Sequence, residues 1–233
     1  RIRRIHTQNR KVYGSHRVHE ALLAEGIACG RHRVARLMRV SGIIAEPHRR
    51  WKFKSRSKSN PGLCTNLVHR CFKVEHPNQV WASDITSVWT RSGWVHLAVV
   101  MDLYSRRVIG WAIKTQMTDE LTMSAISMAL AARRPERGLV HHSDRGGQYA
   151  SERFQTALKD HGILPSMSRA GDCYDNAVVE SFFKSLKSEL NLDNLVLDRD
   201  QTKSVLFEYI EIFYNRNRLH STLGYLSPDR FEA

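Results

Sequence analysis

"NQVWASDITSVWT", "GWVHLAVVMDLYS" and "RRVIGWAIKT" follow one another over residues 78–115, and how they are read decides the fold. All three are rich in Val, Ile, Trp or Thr, the residue types that pack well on a pleated surface. The breaks between them are short, at Arg91–Gly93 and Ser105–Arg106. Three such runs with two tight breaks read as an antiparallel three-stranded meander. Asp84 interrupts the first run, where a charge is disfavoured unless it has a partner or a function. Asp102, in "MDLYSRR", reads as part of the hairpin's own structure.

After the meander the pattern alternates. "DELTMSAISMALAARR" reads as a helix with Thr118 at its N-cap. "GLVHHSD" is a short buried strand that ends on Asp144, just before Arg145-Gly146-Gly147. "SERFQTALKDHG" is a helix with Ser151 or Ala150 near its cap and Gly162 at its end. "ILPSMS" is a fifth strand and "RAGDCYDN" a loop. In "NAVVESFFKSLKSEL", residues 176–190, Val179, Phe182, Phe183, Leu186 and Leu190 fall on one helical face. The opposite face carries Asn176, Glu180, Lys184 and Lys187. The bland reading of that face is a solvated stripe with an i,i+4 ion pair worth a few tenths of a kcal/mol. "TKSVLFEYIEIFYNRN" is a last long helix, and "LSPDRFEA" starts a short one with Ser227 capping and Pro228 in the first turn. The order is β-β-β-α-β-α-β-α-α with a short helical turn after it.

The first quarter of the chain differs from the rest in charge. Residues 1–60 hold 16 Lys/Arg and 3 Asp/Glu, a net of +13, and the remaining residues hold 20 of each. A basic segment of this kind points to a polyanion, usually nucleic acid. "SHRVHEALLAEG" buries Val18, Leu22 and Leu23 and stops at Gly26; "RHRVARLMRVSG" buries Val34, Leu37 and Met38 and stops at Gly42. Helix, short turn, helix is the helix-turn-helix pattern. The second helix then exposes Arg31, His32, Arg33, Arg36 and Arg39. It suits DNA, and a protein-docking helix pair is the alternative. "AEPHRRWKFKSRSKSNPGLCTNLVHR" has no apolar period and reads as a basic linker or arm lying along phosphates.

No apolar run approaches the ~20 residues of a membrane span, and no signal-peptide pattern is visible. Cys64, His69, Cys71 and His76 lie close together, but their spacing matches no common zinc module; reduced thiols in a cytosolic protein are the simpler reading.

Asp84, Asp144 and Glu180 stand out together. The ends of strands are where α/β sites assemble, and 35 residues separate Asp144 from Glu180. Three carboxylates without His or Cys suit a hard cation, Mg²⁺ or Mn²⁺. Two such ions clamp the attacking and leaving oxygens of an in-line phosphoryl displacement. Each carboxylate taken singly is equally a strand-end cap, a turn former or a surface charge.

"WASDIT", "HHSDRGGQY" and "DNAVVESFFKSLKSEL", in that order and at that spacing, resemble the signature of the DDE transposases with a retroviral-integrase-type core. "MDLYSRRVIGW" and "YNRNRLHSTLGYLSPDRFEA" are similar to the two-frame bacterial insertion-sequence transposases of the IS-three family, as is "YGSHRVHEALLAEGIACGRHRVARLMR". The resemblance implies an α/β ribonuclease H-like fold: a mixed five-stranded sheet with flanking helices, preceded by a small all-α helix-turn-helix domain and a basic linker. Residues 1–45 are then the helix-turn-helix DNA-binding region, 46–76 the basic arm, and 77–233 the catalytic core with its C-terminal helices. Asp84, Asp144 and Glu180 are expected to hold two Mg²⁺ ions, with Mn²⁺ able to substitute. Water cuts at the element's end, and the freed 3′-OH attacks a second phosphodiester with no covalent enzyme intermediate.

Contacts to DNA are expected from Arg31, His32, Arg33, Arg36, Arg39, Arg145, Gln148, Asn176, Lys184, Lys187 and Arg218. Lys184 and Lys187 are at the offsets from Glu180 where retroviral integrases also place lysines. Tyr214, Arg218 and His220 read as packing and phosphate contacts; the rest of a tyrosine-recombinase pattern is missing. The implied partners are double-stranded DNA, as terminal inverted repeats and target, and further copies of the chain assembled on it. The implied location is the bacterial cytoplasm, in association with the nucleoid. The chain starts at Arg1 rather than Met, and the resemblance leads us to expect an upstream reading-frame portion with another DNA-binding domain and an oligomerising helix. The rivals are a catalytically silent DNA-binding regulator derived from a transposase and a ribonuclease H-like nuclease that only hydrolyses.

Overall fold

The three β-rich runs fold as β1 (Val80–Thr90), β2 (Gly93–Asp102) and β3 (Val108–Lys114) in a computed structural model that describes residues 1–45, 64–69, 74–169, 176–192 and 197–233. Successive strands pair antiparallel, β1 with β2 and β2 with β3. The buried carboxylate of Asp102 accepts backbone N–H bonds from Asn78 (2.8 Å) and Tyr104 (3.0 Å), so it serves the hairpin as expected. The two later strands, β4 (Val140–Ser143) and β5 (Leu164–Met167), add in parallel to the other side of β1. The sheet order is β3-β2-β1-β4-β5, the mixed five-stranded sheet that was anticipated. Pro165 is tolerated because β5 is an edge strand, where a missing N–H leaves no ladder bond unmade.

Helices cover both faces, and the period-2 alternation of the strands assigns the faces. Trp81, Ala98, Val100 and Ile109 pack under α4 (Asp119–Arg133) and α5 (Glu152–Asp160). Ala82, Leu97, Val99 and Met101 pack under α6 (Ala177–Glu189) and α7 (Arg199–Phe207). Gly110 lets α4 lie directly on β3: a Cβ there would stand 2.3 Å from the Ala125 carbonyl oxygen.

Ser151 caps α5 by accepting the Phe154 N–H, whereas Thr118 stands at the N-cap of α4 without a capping bond. The helix read over residues 202–217 changes character midway. Beyond α7 the chain continues as a π-helix over Glu208–Tyr214, and the Asn215 N–H reaches back five residues to the Ile210 carbonyl (3.0 Å). The wider turn puts Tyr209, Ile210, Phe213 and Tyr214 inside together. The chain ends in α8 (Pro228–Glu232).

The amino-terminal region has one helix more than expected. α1 (Ile2–Gln8) precedes the pair α2 (Ser15–Ala24) and α3 (Arg31–Val40). Gly26 and Gly42 stop the pair with φ of +74° and +63°. Val18, Leu22, Val34 and Met38 are buried as read, but Leu23 is 43% exposed, because the buried stripe of α2 runs through Val18 and Leu22 alone.

These helices share one core with the carboxyl-terminal segment. Tyr13 stacks near Phe213, donates its hydroxyl hydrogen to the Asn217 carbonyl (3.1 Å) and accepts the Leu219 N–H (2.8 Å). Arg10 pairs with Glu208 at 2.8 Å. Of the expected linker, residues 46–63 and 70–73 lie outside the described residues, as do Cys71 and 170–175 of the loop before α6.

Candidate active site

The register of two strands places the first two carboxylates. Val80, Trp81 and Ala82 of β1 stand beside Val140, His141 and His142 of β4, an offset of 60 residues. Continued by two residues, that offset sets Asp84 beside Asp144, which directly follows β4. Neighbouring strands are ~4.8 Å apart, and equal register sends both side chains to one face. The parity of Ala82 makes it the face that α6 covers.

Glu180 arrives from that helix. Val179, Phe182, Phe183 and Leu186 are all buried and fix the rotation of α6 against the sheet. Asn176, at the N-cap, fixes its start: the side-chain amide donates to the Ser83 carbonyl at 3.0 Å. Ser83 is the neighbour of Asp84, and Glu180 is one turn from Asn176, so this bond ties the third carboxylate to the first.

The electrostatics report the convergence. Burial first, then Asp144 and Glu180, push the Asp84 carboxyl up to about 8, against the opposing Ile85 N–H (2.8 Å) and Lys187. Asp84 as a residue is half-buried, but its carboxyl sits deep among protein atoms, and we take burial as the ruling cause. Asp144 is also raised by burial, against a bond from the Gly146 N–H at 2.9 Å. Glu180 is raised by burial and held back by Lys184. The site is therefore crowded with carboxyl groups, on which Lys184 and Lys187 act. The carboxylates converge without closing: among the described residues no group of three or more His, Cys, Asp or Glu is gathered so as to hold a metal ion. The donor chemistry still fits a hard cation. All the donors are carboxylate oxygens, and a cation would offset both the burial of Asp84 and its repulsion by Asp144 and Glu180.

The expected DNA contacts separate into groups. Arg31, His32, Arg33, Arg36 and Arg39 are all exposed on α3. Lys184 is exposed beside Glu180, and Lys187 is half-buried and acts on Asp84. Arg145 donates from Nε to the Ser168 carbonyl (2.8 Å), and Gln148 donates to the Met117 carbonyl (3.0 Å). Asn176 is buried as the anchor of α6, and its Oδ1 has no partner among the described residues.

Arg218 corrects its expectation. It is 5% exposed, and its guanidinium grips Glu189 with Nε at 2.9 Å and Nη2 at 2.7 Å and reaches Ser185. A buried carboxylate 29 residues upstream draws it inward. Tyr214 and His220 are likewise buried, ring against ring at 4.8 Å.

Tyr149 escaped the sequence reading. It is buried, its hydroxyl has no partner among the described residues, and both Asp84 and Asp144 bear on it after burial in pushing its pKa up. An aromatic five residues after a strand-end Asp carries no periodic signal that would reveal it.

Family models match the chain along most of its length. An "HTH-like domain" covers residues 1–51, and two models described as "Integrase core domain" cover 74–173 and 161–228. The "Transposase InsF for insertion sequence IS3A" of Escherichia coli (strain K12) is 42% identical over 97% of this chain and 78% of its own length. The "Insertion element IS600 uncharacterized 31 kDa protein" of Shigella sonnei is 42% identical over 99% of this chain and 85% of its own. The "Transposase for insertion sequence element IS904" of Lactococcus lactis is 38% identical over 100% of this chain and 92% of its own.

Among solved structures, a simian T-cell lymphotropic virus intasome in complex with PP2A regulatory subunit B56 gamma superposes with a TM-score of 0.55 at 19% identity, over 100% of this chain and 74% of that one. The HTLV-2 integrase catalytic core domain in complex with magnesium gives 0.50 at 20% identity, over 67% of this chain and 97% of that one. At those identities they establish the fold.

Proposed function

The chain belongs to the IS3-type insertion-sequence transposases, enzymes that transfer DNA strands, and from that premise we propose that Asp84, Asp144 and Glu180 carry the cutting and joining of the element's ends. The observation behind this assignment is the register that sets Asp84 beside Asp144 with Glu180 tied over them through Asn176.

The three carboxylates would hold two divalent ions, Mg²⁺ or Mn²⁺. When bound, such ions activate the attacking oxygen and neutralise charge on the leaving one. The chain's own residues do the rest. Asp84 and Asp144, fixed by neighbouring strands, set the line of attack. Glu180 closes the site from α6. Lys184, about 6 Å along the helix axis from Glu180, and Lys187, about 10.5 Å along it, reach phosphates beside the scissile bond. In the first step the oxygen of water forms a bond to phosphorus, the P–O3′ bond breaks, and a proton ends on the new 3′-OH. In the second step that hydroxyl attacks a target phosphodiester, and one target P–O3′ bond is exchanged for the new one.

Arg31, Arg33, Arg36 and Arg39, with His32 beside them on α3, read the terminal repeat, with residues 1–45 as the reading region, 46–76 as the arm and 77–233 as the core. Further copies of the chain bring the two ends together. These events belong in the bacterial cytoplasm, on nucleoid DNA.

Single substitutions Asp84→Asn, Asp144→Asn and Glu180→Gln are the test. Each is expected to lower cleavage and joining of a labelled terminal duplex by at least about a thousandfold, on the scale of lost charge stabilisation at such sites, with duplex binding kept. Near-normal joining by any one of them would remove that residue from the site.

A further inference from the structure

The cavity where α2 meets α6 has no role in the chemistry above. It encloses about 310 Å³ and is lined by Arg17, Arg106, Arg218, Ser181, Ser221 and Thr222 among others. Three arginines line one space, and none of its described lining residues is a carboxylate. The acid behind it is Glu189, which is buried and accepts from Arg218 at 2.7 Å while standing 3.8 Å from Arg17. Two arginines thus share one carboxylate, and Arg106 lines the same cavity and, like them, acts on His220. Burial first, and then Arg218, lowers the pKa of Arg17, the sign of cations crowded together. Burial and the same three arginines hold His220 neutral, near 2, so the imidazole adds no charge of its own.

The donors are arranged for an anion. Ala177 and Val178, the first two residues of the 13-residue α6, line the cavity, and a helix's first N–H groups favour negative charge. Ser181, Ser221 and Thr222, each with a hydroxyl, border the same space. Arg218 donates to Glu189 and Ser185, so it supplies field together with Arg106, while Arg17, 3.8 Å from Glu189, supplies the contact. Charged donors converging from several directions suit the oxygens of a phosphate group.

We propose that this cavity is a phosphate site that takes one backbone phosphate of the DNA on which the chain acts. Its place supports that source. Ser181 is the residue next to Glu180, so the cavity opens one step around α6 from the carboxylates. Arg17 comes from the helix that packs against α3, so a strand seated there touches the reading region and the core at once. The choice of DNA rests on the transposase reading; the phosphate chemistry does not.

The test uses the whole chain in EDTA, where metal binding at the carboxylates plays no part, so failure of that assignment leaves these readouts unchanged. Thermal melting is measured in inorganic phosphate and in chloride of equal ionic strength. Affinity for a random-sequence duplex is measured against salt. Phosphate is expected to raise the melting temperature of the wild type. Arg17→Gln and Arg106→Gln should each lose most of that rise, and Arg17→Lys should keep part of it. The salt slope for the duplex should fall by about one for each glutamine variant. Thr222→Val, at an exposed position, weakens the phosphate response without risk to the core. Equal phosphate responses in the wild type and all variants would overturn the site. A lost phosphate response with an unchanged duplex slope would overturn DNA as the source and leave free phosphate.

Discussion

Asp84 is held in a protonation state that its fold dictates. Folded, it keeps its proton to about pH 8; unfolded, it loses it near ~3.9. Between those values the folded chain binds more protons than the unfolded one, so stability falls as pH rises through the window. Asp144 and Glu180 are raised as well and act in the same direction. Melting in EDTA is therefore expected to drop from about pH 5 to pH 8, more steeply for the wild type than for Asp84→Asn. At pH 8 the variant should melt higher, by ~2–4 °C for each kcal/mol of repulsion relieved. Mg²⁺ at that pH should raise the wild type above the variant's gain, and parallel curves for the two proteins would refute the account. Lys184 raises a separate question at the same scale. It is exposed, so Lys184→Ala should change stability by less than ~0.5 kcal/mol while weakening crosslinking to the DNA end. A fall in melting temperature with unaltered crosslinking would restore the solvated ion pair as its whole role.

At the scale of elements, the packing of α4 on β3 depends on Gly110. A methyl group at 2.3 Å from the Ala125 carbonyl forces helix and strand apart. Gly110→Ala should cost ~1–3 kcal/mol, seen as a loss of several degrees in melting, and an unchanged melting point would mean that α4 yields freely. Elements were also where the sequence was most legible. The stripe of α6 could be read because five large apolar side chains repeat at helical spacing, and the meander because its breaks are short. α1 was missed because "IRRIHTQ" mixes charge into too short a run to show a period. The three carboxylates were found by chemistry and resemblance, but their meeting depends on the 60-residue offset between β1 and β4, and no local pattern contains a register. Arg218 was misplaced for a related reason: a basic residue in a basic-looking segment gives no hint that Glu189 waits inside for it.

For the molecule as a whole, the charge excess and the hydrophobic core divide the chain differently. The surplus of +13 sits in residues 1–60, yet Ile5, Tyr13, Val18, Leu22, Val34 and Met38 belong to the same buried cluster as Phe182, Tyr209 and Phe213. Removing residues 1–45 should therefore do more than weaken DNA binding. It exposes Phe213 and the π-helical turn, and the truncated chain is expected to melt much lower and to aggregate; a fragment that melts like the whole chain would show the two regions to be independent. Neutralising Arg31, Arg33, Arg36 and Arg39 instead leaves the core intact and should flatten the salt dependence of binding by about four in the slope. The seam of Tyr13 with Phe213 and Asn217, and of Arg10 with Glu208, also governs how such chains can be hybridised. A head taken from one relative fits the body of another only if the tail that grips it is transplanted too, so the first and last stretches of the polypeptide are inherited as a single graft.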